Sequence, residues 1–221
     1  MKKNVLYILL VMALGICGCG QTQTPETSQV PEESVVENVV KEEETIVFTN
    51  GKIESGSYEN RSIHLAFDVT EDMYILTEEQ IGKVYTAGCE EMNGEECETA
   101  IPEGIVYDAM VYLPDMLSNV IVQVEDISVT FPEEEITAEA YVNKTIEVLA
   151  ALEEPDYTIS DVTTKAVGET SYLYYEADTG IGFVKHCFVR KLGNYVISVL
   201  ITEADGSQDA VDALIASMRE I

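Results

Sequence analysis

The side chains that could do nucleophilic or acid–base chemistry are few in this 221-residue chain, which has two histidines and five cysteines. His186 stands directly before Cys187, a pairing that suggests a thiol–imidazole nucleophile. Both residues fall in one predicted strand, and neighbours on a strand point to opposite faces. A working dyad would need His64 to approach Cys187, yet the alternating pattern of residues 62–69 places His64 on the solvated side of a strand. We therefore predict no catalytic residues and expect Cys187 to be a small core residue.

A second candidate for chemistry is the acidic segment between Cys89 and Cys97, which contains four glutamates and an Asn-Gly pair. An exported protein permits disulfides, so Cys89 and Cys97 form a candidate bridge, although spacing alone does not give the Cα separation that a bridge needs. The carboxylates of residues 90–96 could instead collect around a calcium ion. Charge runs are more often solvated loops, and no zinc or EF-hand motif is present. We predict no metal and no cofactor.

Tyrosines offer a third possibility. Tyr172, Tyr174 and Tyr175 lie in one predicted strand, and the first two share a face. They could form a binding platform, but the chain has no tryptophan for sugar stacking. A tyrosine-rich edge of the core is the simpler interpretation.

The amino terminus carries the most specific pattern. Lys2 and Lys3 precede an apolar run of residues 5–16, which as a helix would span about 18 Å, too short for a ~30 Å hydrocarbon core. The run is typical of a signal peptide. Ile16-Cys17-Gly18-Cys19 resembles the lipobox of bacterial lipoproteins. The resemblance implies cleavage after residue 18 and a diacylglyceryl group on Cys19. Cys17 fits less well because the bulky Ile16 precedes it; an ordinary secretory signal is the alternative.

Composition divides the rest of the chain. We predict a lipoprotein signal peptide over 1–18, an acidic flexible linker over 19–45, rich in Thr, Gln, Ser and Glu, and one domain over 46–221. The formal net charge of −29 repels nucleic acid phosphates, so no nucleic acid partner is expected.

The lipid on Cys19 would hold the protein on the extracytoplasmic face of the cell membrane. The resemblance to small lipoproteins of Gram-positive bacteria implies that the cell is of that kind. Two acyl chains suffice for stable anchoring.

Hydrophobic patterning in the domain predicts eight strands and three helices. Helices begin at the Thr77-Glu78-Glu79-Gln80 capping box, at Thr137 and near Ser207. The last two strands are apolar on both faces, which is typical of central strands covered on both sides. The predicted order is ββα-ββα-ββββα, with strands near 53–59, 62–69, 104–113, 119–125, 157–166, 170–177, 181–190 and 194–202.

This order, together with several short motifs, resembles the PsbP-like family over about residues 53–221. The motifs are Gly56-Ser57-Tyr58-Glu59-Asn60, Tyr107-Asp108, Ser118-Asn119-Val120 and Lys191-Leu192-Gly193-Asn194-Tyr195. Tyr74 departs from the family, which has tryptophan there, and the segment between Cys89 and Cys97 is an addition. The resemblance implies an α+β fold, an α/β/α sandwich around a mainly antiparallel sheet. It also implies binding to other proteins without a shared catalytic motif.

Three functions remain open. The first is a non-catalytic binding or accessory module at the cell surface, with a protein or peptide partner, and it predicts an exposed apolar or tyrosine-rich patch. The second is a histidine-independent hydrolase, which needs a deep cleft with two carboxylates of separated pKa. The third is a structural envelope lipoprotein whose role is bulk and charge near the membrane.

Overall fold

The computed structural model describes residues 46–93, 101–150, 152 and 157–221, and these form strands β1 to β11 and helices α1 to α4. The strands are β1 (Lys52–Glu54), β2 (Ser57–Asn60), β3 (Leu65–Asp68), β4 (Tyr74–Ile75), β5 (Ile105–Tyr112), β6 (Asn119–Asp126), β7 (Thr158–Ile159), β8 (Thr163–Val167), β9 (Thr170–Asp178), β10 (Phe183–Leu192) and β11 (Tyr195–Ala204). The helices are α1 (Glu78–Asn93), α2 (Ile127–Thr130), α3 (Ala138–Ala150) and α4 (Gln208–Ser217).

Two antiparallel sheets organise the fold. The small sheet has the order β1-β2-β3. The large sheet has the order β4-β5-β6-β11-β10-β9-β7, and β8 also pairs with β9. β11 lies at the centre of the large sheet between β6 and β10, so the prediction that the last strands are central is confirmed.

Both faces of the large sheet are covered. Helices α1 and α3 pack on one face, through the clusters of buried residues around Ile81 and Val142. Helix α4 and the small sheet pack on the other face, through a cluster that includes Phe67 and Leu214. The predicted α+β sandwich around an antiparallel sheet is therefore confirmed, with the small sheet as an additional part of one layer.

Helix starts follow the predicted capping chemistry. At α1 the Gln80 amide N–H bonds to the Thr77 hydroxyl at 3.3 Å, and the Thr77 amide N–H bonds to Gln80 Oε1 at 2.8 Å. This reciprocal pair is a capping box. At α3 the Ala140 amide bonds to the Thr137 hydroxyl at 3.1 Å. Each hydroxyl or amide oxygen satisfies a backbone donor that the first turn of a helix leaves unpaired.

The first predicted hairpin differs from the structure. The predicted strand 53–59 is two strands, β1 and β2, because Ser55 and Gly56 both adopt positive φ and make a tight turn. The prediction that His64 lies on a strand is wrong. His64 stands in the turn before β3 at φ 48°, since the Asn60 side-chain oxygen accepts the N–H groups of Ser62 and Ile63 and prolongs the turn. His64 is exposed, as expected.

The predicted strand over 157–166 also divides into two. Ser160 leaves the regular ladder because its hydroxyl, rather than a backbone carbonyl, accepts the amide N–H of Glu176 at 2.9 Å. The chain resumes pairing with β9 only at Thr163. The two-residue strand β4 and the single-turn helix α2 are further elements that hydrophobic periodicity did not predict, because each is too short to show a period.

Asp108 joins the two sheets. It lies at an irregularity in the β5–β6 ladder, between Tyr107 and Ala109, that turns its side chain towards the small sheet. Its carboxylate accepts hydrogen bonds from the Gly51 amide (2.8 Å), the Tyr58 hydroxyl and the Asn60 side-chain amide (2.7 Å). A β-carbon on Gly51 would lie 2.7 Å from the Tyr58 ring, so the close approach requires glycine there. The sequence motifs around Tyr58 and Asp108 thus meet in one network.

Residues beyond α4 complete the small sheet. Ala66 of β3 and Arg219 exchange two backbone hydrogen bonds, each 2.9 Å long. The Arg219 guanidinium also bonds to the Asp68 carboxylate and the Ser57 hydroxyl, both at 2.7 Å. The first strands of the domain are therefore held by residues 153 positions later in the chain, counted from Ala66 to Arg219.

Candidate docking surface

The structure separates the residues that the sequence suggested for acid–base chemistry. His186 and Cys187 point to opposite faces of the large sheet, as strand geometry predicts: Phe188, on the same strand, belongs with α4, and Cys187 packs with residues of α3. The His186 ring has Tyr174 Oη at 2.8 Å from Nδ1 and Glu203 Oε2 at 3.1 Å from Nε2. With both ring nitrogens engaged, this histidine has a positioning role within the sheet.

Cys187 is a free, buried thiol, and burial raises its pKa to about 11. A thiol that keeps its proton at neutral pH is a poor nucleophile. The three tyrosines of β9 are also buried, with Tyr172 and Tyr174 in the cluster beneath α4 and Tyr175 beneath α3. They form part of the core rather than an exposed platform.

Several predicted features lie outside the described residues: the signal peptide, Cys17, Cys19, the linker over 19–45 and Cys97. Cys89 falls within the backbone of α1. In the part of the chain that the structure describes, no three His, Cys, Asp or Glu side chains are grouped as metal ligands. Over the same residues, no helix is long and apolar enough to cross a membrane.

A groove of about 400 Å³ lies over the small sheet and carries two carboxylates, those of Glu54 and Glu59. Both side chains are exposed, and the cations Lys52 and Arg61 line the same groove. This open, mixed-charge arrangement differs from the deep cleft that a hydrolase with paired carboxylates would need.

One end of the large sheet gathers four connections, which we call the acidic end: residues 70–73, 113–118, 178–182 and 204–209. Their adjacency follows from the strand register, since Tyr112 pairs with Asn119 and Phe183 pairs with Ala204. Three hydrogen bonds join neighbouring connections, one of them from the Ser207 hydroxyl to the Asp115 carboxylate. The Ala204 amide bonds to the Ser118 hydroxyl at 3.0 Å, and the Asp205 amide bonds to the Gly182 carbonyl at 3.0 Å.

Apolar side chains project from the acidic end. Met116 is 50% exposed, Leu117 38% and Ile181 51%. Met116 and Leu117 occupy the tip of the turn between β5 and β6, and Ile181 occupies the turn between β9 and β10. The two turns lie on either side of the end of β11, at the same end of the large sheet. The large apolar side chains that the folded domain leaves in solvent there make this end a candidate contact surface.

The Met116–Leu117 tip is rigidly held. Asp115 Oδ1 accepts the amides of Leu117 (2.9 Å) and Ser118 (2.8 Å), and Asp115 Oδ2 accepts the hydroxyls of Ser118 and Ser207. Although partial burial works in the opposite direction, the hydrogen bonds from Ser118 and Ser207 hold the pKa of Asp115 below its usual value. The carboxylate therefore stays charged at neutral pH and ties the tip to the start of α4.

Met116 adopts φ 58°, a left-handed conformation that costs about 1 kcal/mol or more for a residue other than glycine. Glycine would fit this position without strain. A strained residue that exposes half of a large apolar side chain serves neither local folding nor solubility. The sequence contains Pro114 and Asp115 as a turn signal, but nothing in it predicts the backbone of Met116.

Charge surrounds these apolar side chains. Six acids of the acidic end are exposed: Glu71, Asp72, Asp115, Asp178, Asp205 and Asp209. The four connections contain no lysine or arginine. One sign of charge around an apolar centre raises the association rate of an oppositely charged partner.

No family model matches the sequence, and no curated protein is detectably similar to it. Among solved structures, cyanobacterial PsbP (CyanoP) from Synechocystis is similar over 78% of this chain and 98% of its own, at 12% identity and a TM-score of 0.47.

Two further structures are similar at lower TM-scores. A protein from Bacteroides thetaiotaomicron matches 76% of this chain at 10% identity and a TM-score of 0.35, and this chain spans 49% of its length. LpqN, involved in cell envelope biogenesis of Mycobacterium tuberculosis, matches 54% of this chain and 80% of its own at 11% identity and a TM-score of 0.34. At these identities none of the three indicates what this chain binds.

Proposed function

We propose that this chain is a lipid-anchored, extracytoplasmic binding module, without catalytic activity, whose acidic end docks a cationic protein partner. The observation that carries the proposal is the exposed Met116–Leu117 tip, held in a strained conformation by Asp115. A pre-formed apolar tip loses little conformational entropy on binding, which favours affinity.

The charge of the acidic end indicates which kind of partner it would bind. Its six exposed acids favour a basic surface, and the apolar tip favours a hydrophobic recess at the centre of that surface. Interfaces of this kind concentrate binding energy in a few central side chains. We assign that central role to Met116 and Leu117.

Docking is tested by photo-crosslinking in intact cells from a reactive amino acid at position 117, with position 148 as the control. Val148 on α3 is exposed to a similar degree, 39% against 38%, but lies outside the acidic end. We expect a stoichiometric crosslink to one basic protein from position 117 and none from position 148. Met116→Gly should weaken that partner's affinity about tenfold without destabilising the fold, because glycine tolerates φ 58°. Equal crosslinking from both positions, or unchanged affinity with glycine, would contradict the proposal.

Anchoring is a separate prediction. We expect Cys19→Ala to abolish incorporation of labelled fatty acid and to release the protein from the membrane fraction, because Cys19 would carry both acyl chains. Cys17→Ala is the matched control and should change neither property. Membrane association that survives Cys19→Ala would refute the lipobox interpretation.

A further inference from the structure

The two faces of the small sheet differ in chemistry. On the inner face, Ile53 and Tyr58 pack with the core cluster that lies beneath α4. Successive side chains of a strand point to opposite faces, so Lys52 and Glu54 of β1 and Glu59 of β2 lie together on the outer face. The small sheet therefore presents charged side chains of both signs to solvent.

These three side chains and that of Arg61 line the groove of about 400 Å³ over the small sheet. The volume falls within the range of roughly 300–1,000 Å³ that is typical of ligand sites. Arg61 follows β2 and lies near Thr49, whose carbonyl accepts hydrogen bonds from the Asn60 side-chain amide and the Ser62 hydroxyl, both at 2.9 Å. Arg61 thus occupies the end of the groove that is remote from the β1–β2 turn.

The four charged side chains of the groove are free to meet a ligand. Lys52 and Glu59 are register partners on β1 and β2, yet no ion pair joins them. Neither these two side chains nor those of Glu54 and Arg61 make a hydrogen bond, ion pair or ring contact with any residue that the structure describes.

Other exposed lysines show what is ordinary for this chain. Three of them are engaged, in the pairs Lys83–Glu79 and Lys144–Glu134 and in the placement of Lys165 over the ring of Tyr174. In a chain with a net charge of −29, two unpaired cations beside two unpaired carboxylates indicate a groove arranged for a ligand that carries both charges.

The two signs of charge are displaced along the groove. Glu54 is next to the β1–β2 turn, Lys52 and Glu59 form the following row, and Arg61 comes last. The mean position of the two carboxylates is therefore two residues from the mean position of the two cations. At the rise of a β-strand this displacement is about 6–7 Å.

An unblocked dipeptide has the matching charge separation. In extended form its two residues place the terminal ammonium and the terminal carboxylate about 6–7 Å apart, whereas a single amino acid carries both groups on one Cα. The Arg61 guanidinium offers two parallel N–H donors to a carboxylate, and the glutamates accept from an ammonium.

The backbone beneath the groove is fixed before any ligand binds. Asp108 of the large sheet accepts hydrogen bonds from the Gly51 amide, just before β1, and from the Tyr58 hydroxyl in the middle of β2. A site whose backbone is already held loses little conformational entropy on binding.

We propose that this groove binds a short zwitterionic peptide of dipeptide size, with its carboxylate towards the two cations and its ammonium towards the two glutamates. The groove lies outside the acidic end, and the binding of such a peptide depends neither on a protein partner nor on the lipid anchor.

Isothermal titration calorimetry of the full chain in detergent tests the proposal with dialanine, alanine, N-acetyl-dialanine and dialanine amide at matched ionic strength. We expect saturable binding of dialanine. The other three compounds lack the charge separation, the ammonium or the carboxylate. Each should bind about fivefold more weakly, near the upper end of what one exposed ion pair contributes.

Two substitutions assign the two ends of the ligand. Arg61→Gln should weaken dialanine binding about fivefold and reduce the preference for dialanine over dialanine amide. Glu54→Gln should weaken it to a similar degree and reduce instead the preference over N-acetyl-dialanine. Lys191→Gln, at an exposed lysine outside the groove, is the matched control and should bind dialanine as the parent does.

Circular dichroism spectra identical to the parent's establish that the variants are folded. The proposal is overturned by a lack of saturable dialanine binding, or by blocked peptides that bind as well as dialanine does. Undiminished binding by folded Arg61→Gln and Glu54→Gln, or an equal loss in Lys191→Gln, would also overturn it.

Discussion

Asp108→Ala is expected to lower the free energy of unfolding by about 3 kcal/mol. The substitution leaves three donors without their acceptor, those of Gly51, Tyr58 and Asn60, and each orphaned donor costs about 1 kcal/mol or more. The substitution should destabilise the small sheet as well, because the same carboxylate holds β2 against β5. Urea denaturation followed by circular dichroism measures it.

Asp68→Ala is the matched control for this prediction. Asp68 also makes a charged hydrogen bond, to Arg219 at 2.7 Å, but both side chains are substantially exposed, so its loss should cost less than about 1 kcal/mol. Tyr58→Phe removes a single donor and should fall between the two. If Asp108→Ala and Asp68→Ala destabilise equally, Asp108 does not join the sheets as described.

Lys185→Met is expected to raise the free energy of unfolding at pH 7 by as much as about 3 kcal/mol. Burial lowers the pKa of Lys185 from 10.5 to about 8, and each pKa unit corresponds to about 1.4 kcal/mol. Methionine has a similar length and no charge to desolvate.

The dependence of the unfolding free energy on pH tests the direction of this prediction. Between pH 8 and 10.5 the unfolded chain keeps a proton on Lys185 that the folded chain releases, so the stability of the parent rises with pH, by up to about 1.4 kcal/mol per unit. Cys187 acts oppositely, since burial raises its pKa from 9.0 to about 11, and this opposing effect begins below pH 9. Because substitution of Lys185 removes only the lysine contribution, the difference in slope between the parent and Lys185→Met from pH 8 to 9 isolates Lys185.

In that window Lys185→Met should remove the rise in stability, whereas Lys165→Met, at an exposed lysine of β8, should retain it. Urea denaturation at pH 8.0, 8.5 and 9.0 measures the slope. If the free energy of unfolding of Lys185→Met still rises with pH, the rise is due to another titratable group.

Local signals were enough to predict the long elements. The Thr77–Gln80 pair and Thr137 predict helix starts because capping is a contact between residues three apart, and the structure forms both. Strands β5, β6, β10 and β11 follow from eight or more residues of consistent patterning. β4 is only two residues long, and β1 has one apolar residue between charges, so neither offers a period to detect.

The candidate sites were less accessible to sequence reasoning. The exposed tip depends on the backbone of Met116, which is set by Asp115 and by Ser207, a residue 92 positions from Asp115. The buried polar side chains of β6, Asn119, Gln123 and Glu125, did leave a signal. In Asn119-Val120-Ile121-Val122-Gln123-Val124-Glu125 polar and apolar residues alternate almost throughout, and the predicted strand covers them. Such alternation ordinarily indicates a solvated face, and only the packing of α3 shows that this face is buried.

The backbone hydrogen bonds between Ala66 and Arg219 limit how early during synthesis the fold can be completed. The three strands of the small sheet pair locally, but a nascent chain cannot add the bridge from β3 to Arg219 until almost the whole domain has left the ribosome. Long-range pairing of this kind is slow, because the entropy of closing a large loop is lost before any contact stabilises the closed chain. Under the export that we propose for this chain, that delay would leave the contact between Ala66 and Arg219 to form after the chain has crossed the membrane.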